Sequence, residues 1–306
     1  MADEEKAATD AEKEEAPAAE EAPKKRRGRR AAKTAKAAKE ETPKKERAAL
    51  KPGQVRVYSV EGEPVKTVEL PSVFRSEIRV DLIRRAVTAF QANRRQAYGP
   101  RPRAGMRHSV RWSGKGQGVS RVPRIRGTMI GAQAPGTVGG RQAHPPAVER
   151  IWTKKVNEKE RRRARNAALA AIRDPQVVGA RGHRFSPKTS VPVIVQDAVE
   201  EIESASEAVE FLEAVGLYDD VMRAKDGTHV RQGRGKMRGR RYRRPRGPLL
   251  VVRDAAKARQ GFGNLPGVEV VTPAGLNAEI LAPGGDAGRL TIFSASALEA
   301  LRGWAA

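Results

Sequence analysis

The side chains this chain offers for chemistry are overwhelmingly arginines. Between Tyr98 and Val148 stand Arg101, Arg103, Arg107, Arg111, Arg121, Arg124, Arg126 and Arg141 with Lys115, among ten glycines and six prolines and without one acid. Guanidinium carries a permanent charge on a planar fork that matches phosphate, and glycine lets backbone approach a ligand closely. A second run, residues 228–248, repeats the pattern with Arg231, Arg234, Lys236, Arg238, Arg240, Arg241, Arg243, Arg244 and Arg246, again without an acid. Both runs imply a polyanionic ligand, and the most economical polyanion is nucleic acid. Aromatic residues make up only 4% of the chain, so phosphate, shape and arginine contacts should outweigh base stacking. Trp112 and Tyr242, lying inside the basic runs, are the exceptions: each either stacks on a base or packs on the protein's own surface.

Other chemistries are poorly supplied. The run Gly114-Lys115-Gly116-Gln117-Gly118 lacks the GxxxxGK[ST] spacing, a hydrophobic strand before it and a helix after it, so it is not a phosphate loop of the nucleotide-binding kind. His183 shows no nucleophile or carboxylate partner nearby in sequence, which makes it a structural hydrogen-bonding histidine rather than a base. Asp197, Asp219, Asp220 and Asp254 fall near element boundaries, where capping explains them. With no cysteine and only four scattered histidines, neither a disulfide framework nor a zinc site is expected, and no cofactor is implied.

The charge balance is lopsided, with 60 Lys and Arg against 36 Asp and Glu in 306 residues, a formal +24. The basic residues sit in Gly/Pro stretches rather than along an amphipathic helix, which argues against a membrane-surface role. No apolar run approaches the about 18 residues a span needs, and the N-terminus is too acidic for a targeting peptide, so a soluble intracellular protein is expected. Residues 1–52 alternate alanine with charge, acidic first and basic after, and read as a disordered charged tail whose PKKRRGRR stretch is a localisation signal, an RNA anchor or a solvated charge run.

The elements that must position the basic runs are legible around them. VRVYSV and PVKTVEL flank a Glu-Gly-Glu turn as two strands. Val80, Ile83, Val87 and Phe90 recur at helical steps and predict one buried stripe, after which Arg94 and Arg95 lead into the first basic run. Beyond it, Asn157 with Glu160 resembles a capping box opening a helix that ends near Asp174-Pro175, with Ala164, Ala168, Ala171 and Ile172 on its small face and Arg162 and Arg173 roughly opposite. The two helices should pack together and close the base of the loop. From Val191 short apolar runs alternate with helices, the pattern of a mostly parallel sheet with helices on its faces. The expected architecture is thus one α/β domain over 53–302, interrupted by an extended loop at 98–148 and a basic loop at 228–248. A parallel sheet could set both loops on the same side.

Taken together, RWSGKGQGVSRVPRIRG, GGRQAHPP, NEKERRRARNAALAAI, ARGHRF, RQGRGKMRGRRYRRPRGP and LNAEILAPGGDAGRLTIFSASAL resemble, in order, the large-subunit ribosomal protein L-four family in its archaeal and eukaryotic branch, the AHPP ending being more archaeal. The resemblance spans about residues 53–302 and leaves the charged tail outside it. It implies a non-enzymatic cytoplasmic protein of the large ribosomal subunit, with large-subunit ribosomal RNA and neighbouring ribosomal proteins as partners. It implies further that the arm threads ribosomal RNA and its tip reaches the wall of the nascent-peptide tunnel. An out-and-back excursion of this length reaches at most about 80 Å at roughly 3.3 Å per residue. Its uncharged centre, residues 128–140 with Thr128, Met129, Ile130, Gln133 and Thr137, is where such a tip would fall, presenting small neutral side chains to a passing nascent polypeptide. Glycine and proline should keep helix and sheet out of the arm. Charge alone leaves a chromatin-type DNA-binding protein as the alternative.

Overall fold

The structure, a computed structural model, describes residues 53–304; the charged tail lies outside them. Strands β1 (Gln54–Tyr58) and β2 (Pro64–Glu69) form an antiparallel hairpin, and α1 (Val80–Asn93) follows. Two-residue strands β3 (Val110–Arg111) and β4 (Arg124–Ile125) lie inside the first basic run. Then come α2 (Glu158–Ile172), α3 (Pro175–Ala180), β5 (Val193–Val195), α4 (Ala205–Val215) and α5 (Tyr218–Asp226). The second basic run holds β6 (His229–Val230) and β7 (Tyr242–Arg243), and the chain closes with β8 (Leu249–Val251), α6 (Ala256–Phe262), β9 (Glu269–Val271), α7 (Ala278–Leu281), β10 (Thr291–Ser294) and α8 (Ala295–Arg302).

The main sheet has the order β2-β1-β5-β10-β8-β9, and only the β1–β2 pair is antiparallel. Its central strands are buried on both faces, as the unbroken runs VIV, LLV and TIFS require in a sheet covered by helices on each side. Alternation along each strand divides the core. Leu249, Val251, Ile194 and Phe293 join the layer of α1, α2, α7 and α8, whereas Leu250, Val252, Val193 and Ile292 join that of α4, α5 and α6. This is the α/β architecture the sequence implied.

Helices α1 and α2 do pack together: Ile83, Ala86 and Val87 share a core with Ala164, Ala167 and Ala168, and Arg85 Nη1 reaches Glu160 Oε1 at 3.3 Å. Three local expectations change. Val80 is exposed, because α1 begins there and its buried stripe starts one turn later at Ile83. Asn157 is the N-cap of α2 but its side chain accepts no capping hydrogen bond, Glu160 being drawn to Arg85 instead. Asp174-Pro175 is a start as well as a stop, for Asp174 accepts from Gln176 N at 2.9 Å and Pro175 opens α3.

In parallel α/β sheets, small ligands usually bind at the carboxyl ends of the strands. Here that edge is filled by the chain itself. Glu200 Oε1 accepts from Arg253 N at 2.8 Å, Ser294 Oγ at 2.6 Å and Ser296 Oγ at 3.0 Å, while Glu200 Oε2 accepts from Asp254 N at 3.2 Å. Asp197 accepts from Ser296 N at 2.7 Å and Asp254 from Ala256 N at 2.9 Å, so both act near helix starts as their positions suggested.

Candidate nucleic-acid interface

The first basic run folds back on itself as an arm zipped by its own backbone. Arg126 N donates to Ser109 O at 3.3 Å, Val110 pairs with Ile125, and the Gln133 amide donates to the carbonyls of Met106 at 3.2 Å and His108 at 2.7 Å. Closer to the body, Gly105 lies so near the Gly140–Arg141 backbone that an added Cβ would come within 2.5 Å of it, and its φ is +75°. The expectation that glycine and proline exclude sheet altogether is corrected: β-branched Val110 and Ile125, facing each other, support one short ladder.

The uncharged centre divides in two. Thr128 N returns to Ile125 O at 3.0 Å with Gly127 at φ +77°, the positive angle a type II turn demands at that position. This turn exposes Thr128, Met129 and Ile130. Gln133 and Thr137 instead serve the arm's own fold, Thr137 Oγ1 donating to Ala134 O at 2.8 Å beside buried Ala132.

The basic side chains divide similarly. Arg101, Arg103, Arg107, Arg111, Lys115, Arg121, Arg126 and Arg141 are exposed, and among the described residues none of them pairs with a carboxylate. Trp112 is 64% exposed, with its indole on a cleft of 590 Å³ that Arg111 and Arg126 also line. Arg124 is committed internally, bridging the carbonyls of Ser120 and Met129.

In the second basic run, β6 pairs antiparallel with β7, and Arg231 ties this hairpin through the carbonyls of Arg240 at 3.2 Å and Tyr242 at 3.5 Å. Arg234, Lys236, Arg238, Arg240, Arg241, Arg243 and Arg244 remain exposed, with Arg241 lying over Tyr242 at 5.6 Å. Within the described residues, trypsin should therefore cut the free protein between Arg101 and Arg141 and between Arg231 and Arg246, leaving the α/β body intact. The same sites should be protected inside a ribonucleoprotein particle; equal resistance in both states would show that these segments do not depend on a partner for their order.

The roots of the two excursions meet. A pocket of 340 Å³ is lined by Arg94 at the end of α1, Arg246 at the end of the second run, and Glu269 and Glu279 between them. Arg94 pairs with Glu279, and Glu269 binds both Arg246 and Arg289. Arg289 is fully buried, its Nε on Gly247 O at 3.1 Å and its Nη1 on Ile280 O at 2.9 Å and Glu269 Oε2 at 2.6 Å. Burial, helped by repulsion from Arg246 and Arg181, pushes its pKa down to about 9. These groups lie at the amino ends of β8, β9 and β10, opposite the edge plugged by Glu200.

A second anchor corrects the view of His183 and Asp220. Both are buried, and His183 Nδ1 lies 2.9 Å from Asp220 Oδ2. Asp220 Oδ1 accepts from Arg184 N at 3.0 Å and Arg223 Nε at 2.8 Å. Burial alone would raise the Asp220 carboxyl, but the hydrogen bonds from His183 and Arg223 hold it below the usual range. Asp220 is thus a core anchor rather than a cap, and His183 has a carboxylate partner. Arg223 Nη2 in turn donates to Arg246 O at 2.8 Å, fixing the exit of the second run. Arg162 makes an exposed pair with Glu158 one turn back.

Some residues at this interface escaped the sequence reading. Trp152 stacks on Tyr98, ring centroids 5.7 Å apart, and carries Arg95 at 3.8 Å and Arg150 at 4.5 Å from its centroid. Only the aromatic spacing on either side of the arm, Tyr98 before and Trp152 after, could have hinted at it. Among the described residues no group of three or more His, Asp or Glu could hold a metal ion, and no helix is long and apolar enough to cross a membrane.

A covered α/β body whose ligand edge is filled by its own Glu200 carries two acid-free arginine excursions rooted together, an arrangement suited to meeting a polyanion over a broad surface. The family model for the ribosomal protein L4/L1 family matches residues 68–304, and the chain belongs to that family. It is 50% identical over 250 residues to the large ribosomal subunit protein uL4 of Methanothrix thermoacetophila, covering 80% of this chain and 97% of that one. It is 48% identical over 250 residues to the uL4 of Methanopyrus kandleri, covering 80% and 96%. With the uL4 of Methanocaldococcus jannaschii it shares 46% identity over 246 residues, covering 80% and 97%.

Proposed function

We propose that this chain is a structural constituent of the large ribosomal subunit in the cytoplasm, binding large-subunit ribosomal RNA through the 98–148 arm and the 228–248 loop. The observation that carries this reading is the set of exposed arm guanidiniums that, among the described residues, have no carboxylate partner and stand in a stretch without a single acid. Such a surface is costly to hold together alone and favourable against phosphate, where each contact also releases a condensed counterion. Exposed Arg101, Arg103, Arg107, Arg111, Arg121, Arg126 and Arg141 with Lys115 would grip the backbone along the arm. Arg94, Arg95 and Arg162 would extend the grip over the body, and Arg231 to Arg246 would supply a second contact. The internal bonds of Arg124 and Arg231 make them shapers of the interface before they are ligands of RNA. Neighbouring ribosomal proteins would complete the surroundings of the body.

The exposed turn at Thr128, Met129 and Ile130 is the part of the arm that suits the wall of the nascent-peptide tunnel, being uncharged between Arg126 and Arg141. Gln133 and Thr137 support that turn from behind. A photocrosslinker at Ile130 is expected to capture nascent chains in translating ribosomes, and one at Gln133 to capture them more weakly. Capture at neither position would remove the tunnel role while leaving RNA binding in place.

A further inference from the structure

At the root of the arm two arginines share one indole. Arg95, just past α1, and Arg150, on the returning leg, place their guanidinium carbons 3.8 and 4.5 Å from the Trp152 ring centroid. Tyr98 stacks on the same ring at an interplanar angle of 14°. The indole attracts each cation, so two like charges are gathered at one ring. Among the described residues neither Arg95 nor Arg150 is paired with a carboxylate, whereas Arg94 next door is paired with Glu279. A staple whose only task was to join the two legs would need one cation, or a cation and an acid. Two cations gathered on one aromatic, neither of them paired with a carboxylate among the described residues, make a site for an anion.

We infer that Arg95, Trp152 and Arg150 form a preformed clamp for the RNA phosphodiester backbone where the arm leaves the body. This rests on the RNA-binding reading above and adds a site to it. The indole holds both guanidinium groups at its ring, so less rotamer freedom remains to be lost when each donates to phosphate oxygens. Tyr98, packed on the indole, prevents the ring from swinging away. Because the clamp joins residues on both legs, a phosphate seated in it would also fix the angle at which the arm departs.

The test is the salt dependence of binding of the full chain to a large-subunit ribosomal RNA fragment, for the parent, Arg95→Gln/Arg150→Gln, Arg95→Lys/Arg150→Lys and Trp152→Leu. Loss of two phosphate contacts should reduce the log-log slope by about 1.4 to 1.8 in the glutamine variant. The lysine variant should keep the slope and lose affinity, since charge remains without the planar fork. Trp152→Leu should weaken binding by releasing both guanidiniums, and inorganic phosphate at matched ionic strength should compete less effectively against it than against the parent. A glutamine variant that binds more weakly with an unchanged slope would show a purely structural staple and overturn the clamp, leaving the RNA-binding reading intact. A parent protein with no salt-dependent affinity for the RNA would overturn the RNA-binding reading itself.

Discussion

Replacing Asp220 with alanine is expected to destabilise the folded body by about 3–5 kcal/mol, the usual consequence of removing one partner from a buried charged network. His183 Nδ1, Arg184 N and Arg223 Nε all converge on this carboxylate, and water cannot replace it because Asp220 is fully buried. Against a total stability of roughly 5–15 kcal/mol the loss is large, and the melting temperature should fall by roughly 6–20 °C. The pH dependence has a definite sign. The folded-state carboxyl lies below its ordinary value because hydrogen bonds from His183 and Arg223 overcome its burial. The stabilisation it contributes is therefore complete above the ordinary aspartate pKa of about 3.9 and is lost as the pH falls below that and through the folded value. Thermal melts of the parent and of Asp220→Ala should differ most near neutrality and converge in acid. A gap that persists unchanged at low pH would mean that packing, not charge, makes the cluster stable.

The second large effect concerns RNA rather than folding. Changing Arg240, Arg241, Arg243 and Arg244 together to alanine should reduce the salt slope of ribosomal RNA binding by about three, at 0.7 to 0.9 per neutralised phosphate. These four side chains are exposed and make no ion pair among the described residues, so the body should melt as the parent does. Arg231 and Arg246 belong outside this set. The first bonds two carbonyls across the hairpin and the second pairs with Glu269, so removing either would confuse loop shape with phosphate contact. Weakened binding with the slope preserved would mean that the four arginines meet something other than phosphate.

The sequence carried the sheet and its flanking helices clearly because burial imposes a period. VIV, LLV and TIFS had to be covered on both faces, and Ile83 and Val87 had to share a helix face. What it did not carry were interactions between residues far apart in the chain. Asp220 meets His183 across 37 residues and Trp152 gathers Arg95 across the whole arm, and no local pattern encodes either pairing. The arm was legible as acid-free and rich in glycine, but not as a zipped hairpin. Its closure depends on single groups, the Gln133 amide and the Val110–Ile125 pair, rather than on a repeating apolar stripe. The Asn157 capping box failed for a related reason, since Glu160 gains more from Arg85 on the neighbouring helix than from its own N-terminus. The division of the uncharged centre into an exposed turn and an internal support likewise depends on hydrogen bonds to Met106 and His108, 27 and 25 residues away.

The central claim is that the two basic excursions engage large-subunit ribosomal RNA as a structural part of the particle. Sedimentation of ribosomal subunits through a high-salt gradient, with the full chain followed by a C-terminal tag, tests it most directly. The chain is expected to travel with the large subunit at salt concentrations that strip loosely bound basic proteins, because an arm threaded through RNA cannot leave by breaking exposed ion pairs one at a time. Recovery of the chain at the top of the gradient, together with equal affinity of the free protein for duplex DNA and for ribosomal RNA, would contradict the account.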